Sequence, residues 1–282
     1  MNILSYSKAL YTTWVYYSPD RTLFDSGECV ATMLNNKVYA IKNIFLTHGH
    51  VDHISGLWAL INTRNNAMGD RAKELNVYYP KNNKGIEDYI KFIKRVNSDL
   101  RFKLNFFPIT PDDKIILRGK KRIEKYIRPF FVTHTQSEIS FGYHIIEVRR
   151  KLKEEFRNLS QEEIAVLAKK YGSEYITRSY EKKVFTISGD TFLLSREEVK
   201  DSEIVFHECT FLDKRDRKYK NHASIEDIVS LIEGSNIKTL ILYHISSRYG
   251  RSIEKLLEPY RNRLKEEGVD LYFVKPDRLF KL

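Results

Sequence analysis

Residues 44–53 read Ile-Phe-Leu-Thr-His-Gly-His-Val-Asp-His, so three histidines and an aspartate crowd into six positions at the end of an apolar run. Neutral imidazole and carboxylate are the ligands that zinc and similar borderline cations take. On an extended strand end, residues two apart point the same way, so His48 and His50 can share one ion. Asp52 and His53 follow as the chain turns into a helix, and they point elsewhere, toward a second. Two ions roughly 3.5–4 Å apart would clamp a hydroxide and a phosphoryl oxygen together.

The same arrangement recurs. "FFVTH" ends at His134, "VFTISGD" at Asp190, "IVFHE" at His207 and Glu208, and "LILYH" at His244. In open α/β folds ligands gather at the carboxyl ends of strands, so runs sharing a sheet would bring these polar ends to one mouth. A carboxylate is the natural bridge between two ions, and Asp190 is the best candidate; Gly189 before it lets the backbone come close. His207 should point to the opposite strand face from Glu208 and is assigned no metal. His144 stands on a strand and reads as structural, and Cys29 and Cys209 read as buried small residues.

Strands and helices alternate around these runs, which places the chain in the α/β class. Early β-rich runs are "TWVYYSPD", "RTLFDSG" and "KVYAIKN"; later come "LNVYY", "FKLNFFPI", "KIILR" and "RPFFVTH", with a helix at "GIEDYIKFIKRV". Ile54, Leu57, Trp58 and Ile61 recur at the spacing of an amphipathic helix. "SIED", Ser224 to Asp227, reads as a capping box opening a helix with the apolar stripe Ile225, Ile228, Val229 and Ile232. Residues 149–183 turn charged and read as a helical hairpin.

Lys and Arg number 48 against 37 Asp and Glu, and this net charge of +11 attracts polyanions such as nucleic acid or an anionic membrane. The two cysteines, far apart, argue against a disulfide framework and for a reducing cytoplasm. No run of eighteen apolar residues predicts a membrane span. The opening "MNILSYSKALYTTWVYYSPD" does not read as a signal peptide.

"FLTHGHVDHISGL", "THTQSEISFGYHI" and "TISGDT" resemble the ligand motifs of the metallo-β-lactamase superfamily. "FHECTF", "NHAS" and "LILYHISSRY" are similar to the late motifs that set the tRNase Z (ribonuclease Z) family apart within it. The resemblance implies a four-layer αββα sandwich, residues 1–282 forming one metallo-β-lactamase-fold domain with a basic protruding arm at about 149–183. It implies two divalent ions, zinc first and manganese second: His48, His50 and His134 on one, Asp52, His53 and His244 on the other, Asp190 bridging. Asp52 would also be the general base, and Glu208 and His222 a pair that protonates the leaving 3′ oxygen. The expected activity is endonucleolytic removal of the 3′ trailer from precursor tRNA, by a cytoplasmic homodimer with no membrane and no nucleotide cofactor. A phosphodiesterase acting on small diesters or another nucleic acid is the alternative. The expected RNA contacts are Arg149, Arg150, Lys151, Lys153, Lys169, Lys170 and Arg248. Family members open with a glycine- and serine-rich loop; "MNILSYSKALYTTW" stands in its place here.

Overall fold

The computed structural model describes residues 3–117 and 124–282. Seven strands form the first sheet: β1 (Ile3–Lys8), β2 (Thr12–Tyr17), β3 (Thr22–Phe24), β4 (Asn43–Phe45), β5 (Leu75–Pro80), β6 (Leu104–Ile109) and, from the far end of the chain, Phe280–Lys281. The second contains β7 (Ile115–Leu117), β8 (Glu124–Val132), β9 (Ser140–Leu152), β10 (Thr177–Ile187), β11 (Ile204–Glu208), β12 (Thr239–Tyr243) and β13 (Asp270–Phe273). Each sheet is part antiparallel and part parallel. β3 to β6 run parallel in the first, and β10 to β13 in the second.

The two-residue period of the strands builds the layers. Val15, Tyr17, Phe24 and Phe45 face Ile204, Phe206, Ile241 and Tyr243 in a core between the sheets. Trp14, Tyr16, Ile44 and Val77, on the opposite face, pack outward against α1 (Val30–Leu34), the helix after the histidine motif and the helix Lys84–Val96. Val205, Leu240 and Leu242 likewise pack outward against the two late helices. The result is the αββα sandwich expected from the motifs. Burying strands on both faces explains why they read as unbroken apolar runs.

After the motif the helical stretch is two pieces, α2 (Val51–Ile54) and α3 (Leu57–Met68). Gly56 separates them because a Cβ there would lie 2.0 Å from the carbonyl oxygen of Gly27. Ile54, Leu57 and Ile61 are buried as the spacing predicts, but Trp58 is 43% exposed and Leu60 takes its place in the core. The break shifts the phase of α3, and Trp58 stacks edge-on against Phe92 of α4 (Lys84–Val96) at the surface.

"KVYAIKN" is not a strand. Asn35–Ala40 form a 3-10 helix whose Val38 carbonyl accepts a hydrogen bond from the buried guanidinium of Arg64. The same guanidinium reaches Ile41 and Lys73 carbonyls, which fixes this turn to α3. Residues 149–183 are not a helical hairpin either. β9 and β10 continue as a two-stranded ribbon, Leu152 opposite Thr177, with α5 (Gln161–Tyr171) and α6 (Ser173–Ile176) beyond it. A ribbon wet on both faces shows no alternation, so its charged composition imitates a helix.

In the C-terminal half, α7 (Arg196–Val199) precedes β11, and α8 (Ile225–Ile232) and α9 (Ile253–Glu266) cover the second sheet. The stripe Ile225, Ile228, Val229 and Ile232 is buried as expected. The Ser224–Asp227 capping box does not form: the Ser224 hydroxyl donates to Asp227, whose carboxylate is also held by Lys214 and Arg217. A reciprocal box occurs instead at Ser160 and Glu163. Cys209 is buried, but Cys29 is exposed, because it sits ahead of α1 in a left-handed conformation (φ 63°).

Candidate metal centre

Parallel pairing of β3 with β4 sets Phe24 opposite Phe45, so the residues that follow each strand lie side by side. Asp25 follows β3 and is buried. Its Oδ1 accepts the Thr47 backbone N–H at 2.7 Å and its Oδ2 the Thr47 hydroxyl at 2.9 Å. The hydroxyl, having given its proton to Asp25, accepts Nδ1–H from His48 at 2.9 Å. Asp25 Oδ2 also takes Nδ1–H from His53 at 2.7 Å. Both rings are thereby fixed in orientation with Nε2 directed inward. Asp25 and Thr47 are absent from the sequence reading; "LFDSG" presents Asp25 as an ordinary turn residue.

The opposite side is built the same way. Parallel pairing of β11 with β12 places Glu208 beside Tyr243. The buried Glu208 accepts Thr210 N–H at 2.9 Å and the Thr210 hydroxyl at 3.0 Å through Oε2, and Ala223 N–H at 3.0 Å through Oε1. Thr210 Oγ1 in turn accepts Nδ1–H from His244 at 3.0 Å. His222 Nδ1 lies 3.0 Å from Glu208 Oε1, and its ring stacks on that of His244. His244 itself is left-handed (φ 58°), and its N–H donates to Ser7 Oγ at 2.9 Å.

These two sides enclose one cluster. Ligand atoms of His48, His50, His134 and Asp190 lie within 4.8 Å of one another, as do those of Asp52, His53 and His244, and those of Asp190, His222 and His244. Asp190 stands between, with Oδ1 3.4 Å from His53 Nε2 and Oδ2 3.3 Å from His244 Nε2 and 4.0 Å from His48 Nε2. Asp52 Oδ2 lies 3.3 Å from His244 Nε2. His134 gives Nδ1–H to the Asn221 carbonyl, leaving Nε2 only 3.2 Å from His50 Nδ1. Gly189 precedes Asp190 with φ 63°, and a Cβ there would lie 2.6 Å from the Phe141 carbonyl oxygen.

The donor set fits a cation. His48 Nε2, His53 Nε2 and Asp190 Oδ1 are buried with no hydrogen-bond partner, although buried polar atoms are rarely left unpaired. Burial, with the charge of His53 next to it, pushes His48 well below the ordinary histidine range, and burial lowers His134. Burial opposes the Asp52 carboxylate, but the hydrogen bond from His244 and the charge of His53 hold it down at about 2. Neutral His48 and His134 beside an ionised Asp52 are in the protonation states that ligate metal. Against its burial, Asp190 and Asp25 raise His53 well above the ordinary histidine range, so that ring would give up a proton on binding an ion.

His207 lies outside the cluster, donating Nδ1–H to the Glu208 carbonyl and accepting Leu194 N–H at Nε2. His144 bonds Thr186 and Glu198. Of the expected RNA contacts, Arg149 is held by Glu147 and Glu203, and Arg150 by Glu174. Lys151, Lys153 and Lys170 lie over the rings of Tyr180, Tyr175 and Tyr171. Lys169 stands in the last turn of α5. Arg248 packs over Phe211 just after the His244 loop.

A sandwich with this donor cluster at its strand ends defines a metal-dependent hydrolase of the metallo-β-lactamase fold, and residues 14–151 match the metallo-β-lactamase superfamily. Ribonuclease Z of Listeria innocua is 31% identical over 264 residues, covering 83% of this chain and 81% of that protein. Ribonuclease Z of Bacillus cereus is 31% identical over 265 residues, covering 85% and 83%. The chain belongs to the ribonuclease Z family. Among solved structures, the short form of human tRNase Z superposes with a TM-score of 0.64 over 99% of this chain and 98% of its own, at 18% identity. The metallo-β-lactamase fold protein YhfI of Bacillus subtilis gives 0.64 over 100% and 99%, at 14% identity.

Proposed function

We infer that this protein is the endoribonuclease that removes the 3′ trailer from precursor tRNA. The observation that carries the reading is the Glu208–Thr210–His222 arrangement beside the ligand cluster in a chain of this family. Thr210 orients the candidate ligand His244, but holding cations does not require the pairing of Glu208 with His222, whereas expelling a 3′ alkoxide requires a proton donor.

In this reading His48, His50 and His134 would hold one divalent ion and Asp52, His53 and His244 a second, with Asp190 shared between the two sets. When bound, such ions lower the pKa of water and offset charge on the phosphoryl group. Zinc suits the nitrogen-rich donors, and manganese is the second choice. Asp52 orients the attacking water and accepts its proton. Water oxygen bonds to phosphorus as the bond from phosphorus to O3′ breaks. His222, raised to about 9 by Glu208 against the effect of burial, carries a proton for the departing O3′. The products are a tRNA 3′-hydroxyl and a 5′-phosphorylated trailer.

We assign recognition of the tRNA body to residues 149–183 as a basic arm of one metallo-β-lactamase-fold domain, with Lys151, Lys153, Lys169 and Lys170 as its phosphate contacts. Of these, Lys151, Lys153 and Lys170 lie over tyrosine rings rather than against carboxylates, which leaves their charge available to RNA. The already paired Arg149 and Arg150 serve less directly. Arg248 is placed to meet a phosphate near the cut. The working form is a cytoplasmic homodimer, as the family resemblance implies; no helix among the described residues is long and apolar enough to cross a membrane.

The test is incubation of zinc- or manganese-loaded protein with a trailer-bearing precursor tRNA, mapping both product ends. One discrete cut leaving those termini is expected. No cut, with brisk hydrolysis of bis(p-nitrophenyl) phosphate, would return the assignment to a small-diester phosphodiesterase.

A further inference from the structure

We propose that a cleft beside the His244 loop binds a nucleotide of the single-stranded RNA that leads away from the cleavage point. This rests on the reading above and deepens it. The cleft encloses about 400 Å³ between the β1–β2 hairpin, the loop after β12 and the segment after β13. That is within the range of small-ligand pockets, about 300–1,000 Å³.

Its charge selects an anion. Lys8, Arg251, Lys275 and Arg278 line it against only Glu254 and Asp277. Glu254 is already paired with Lys275 at 2.8 Å and approached by Arg261 at 3.6 Å. Asp277 and Arg278 are 4.0 Å apart, and among the described residues Lys8 and Arg251 have no carboxylate partner. Lys8 lies 4.0 Å over the ring of Tyr11, which is 56% exposed at the cleft's rim. A basic groove with an exposed aromatic face is the chemistry that holds single-stranded nucleic acid: phosphate on cation, base on ring. Gly250, left-handed at φ 44°, has nothing within 4 Å of where a Cβ would stand, so the floor is open to a ligand backbone.

Its position selects the RNA under cleavage rather than a stray metabolite. Ser247 lines the cleft and follows His244 by three residues, at most about 10 Å of chain. Lys8 sits between Ser7, which accepts the His244 N–H, and Ala9, whose N–H donates to the Ile245 carbonyl. A strand with its scissile phosphate at the metal cluster therefore passes this cleft next.

The experiment titrates zinc-loaded protein with a 5′-phosphorylated diribonucleotide, and separately with inorganic phosphate, by calorimetry across a salt series. Arg251→Glu and Lys8→Glu should each weaken dinucleotide binding at least tenfold. Each should also flatten the slope of log Kd against log salt by about 0.7. Asp277→Asn should tighten binding, a direction that misfolding cannot produce. Unchanged affinity and slope in Arg251→Glu would overturn the proposal, as would inorganic phosphate binding as tightly as the dinucleotide. Should the protein leave precursor tRNA uncut, the processing reading fails while the titration still decides the cleft. Should it cut normally while the variants bind dinucleotide like the parent, the cleft alone is lost.

Discussion

The two sides of the metal cluster are variations on one device. At the end of a strand, a buried carboxylate holds a threonine hydroxyl and one imidazole, and the hydroxyl holds a second imidazole. On the first side Asp25, Thr47, His48 and His53 play these parts, and on the other Glu208, Thr210, His244 and His222. They differ in where the last ring ends up. His53 is fully buried with its free nitrogen facing Asp190, whereas His222 retains 15% of its side-chain surface in solvent. The first side thus orients two candidate ligands, and the second orients one ligand and one ring within reach of a substrate. On the proposed reading, one architecture would serve as a clamp or as a proton donor according to the exposure of a single imidazole.

Breaking the exposed ring should have the largest effect. His222→Ala is expected to slow precursor cleavage by about 10²–10⁴-fold while metal content stays at the parent level. Loss of metal together with rate would put His222 among the ligands and erase the contrast. Next come the carboxylates. Asp25→Asn should weaken metal affinity by about 10–100-fold, because it misdirects two rings. Glu208→Gln should affect affinity much less and act on the cleavage rate. Competition with a chelating dye separates the two, and equal losses of affinity would show that the sides are functionally identical.

The threonines give a finer comparison. Thr47→Val leaves a buried imidazole N–H unpaired and should cost about 2 kcal/mol in urea unfolding. Thr210→Val, at a less buried hydroxyl, should cost about 1 kcal/mol. The reverse order would mean that the second side carries the greater structural role.

A last effect, confined to acid, comes from a carboxylate–imidazole pair outside both devices. Burial pushes His144 from 6.5 down to about 4, against the pull of Glu198. The folded state binds fewer protons there than the unfolded one. This contribution to stability is therefore present above 6.5 and lost as the pH falls toward 4. Metal-free His144→Gln should lose less stability than the parent over that window, and parallel curves would rule the group out as a source of acid sensitivity.

The ligands were legible because each stands where an apolar run stops, and metal chemistry needs few side-chain types. Asp25, Thr47 and Thr210 were not, because their roles arise only when parallel pairing aligns the ends of neighbouring strands. "LFDSG" carries the same signature of a strand run ending in a carboxylate and would have repaid the same attention as "TISGDT". The sandwich followed from the family motifs and from strands buried on both faces. Trp58 and the arm were misread for opposite reasons: one helix is interrupted by a required glycine, and one ribbon has no dry face to impose a period.

The seven candidate ligands arise from both sheets, His48 through His53 on one and His134, Asp190 and His244 on the other. Ions seated there would act as a clasp across the sandwich, so chelation should loosen the grip of one half on the other as well as silence chemistry. A half-translated chain carries His48 through His134 but neither Asp190 nor His244, so the claw can be completed only late in synthesis.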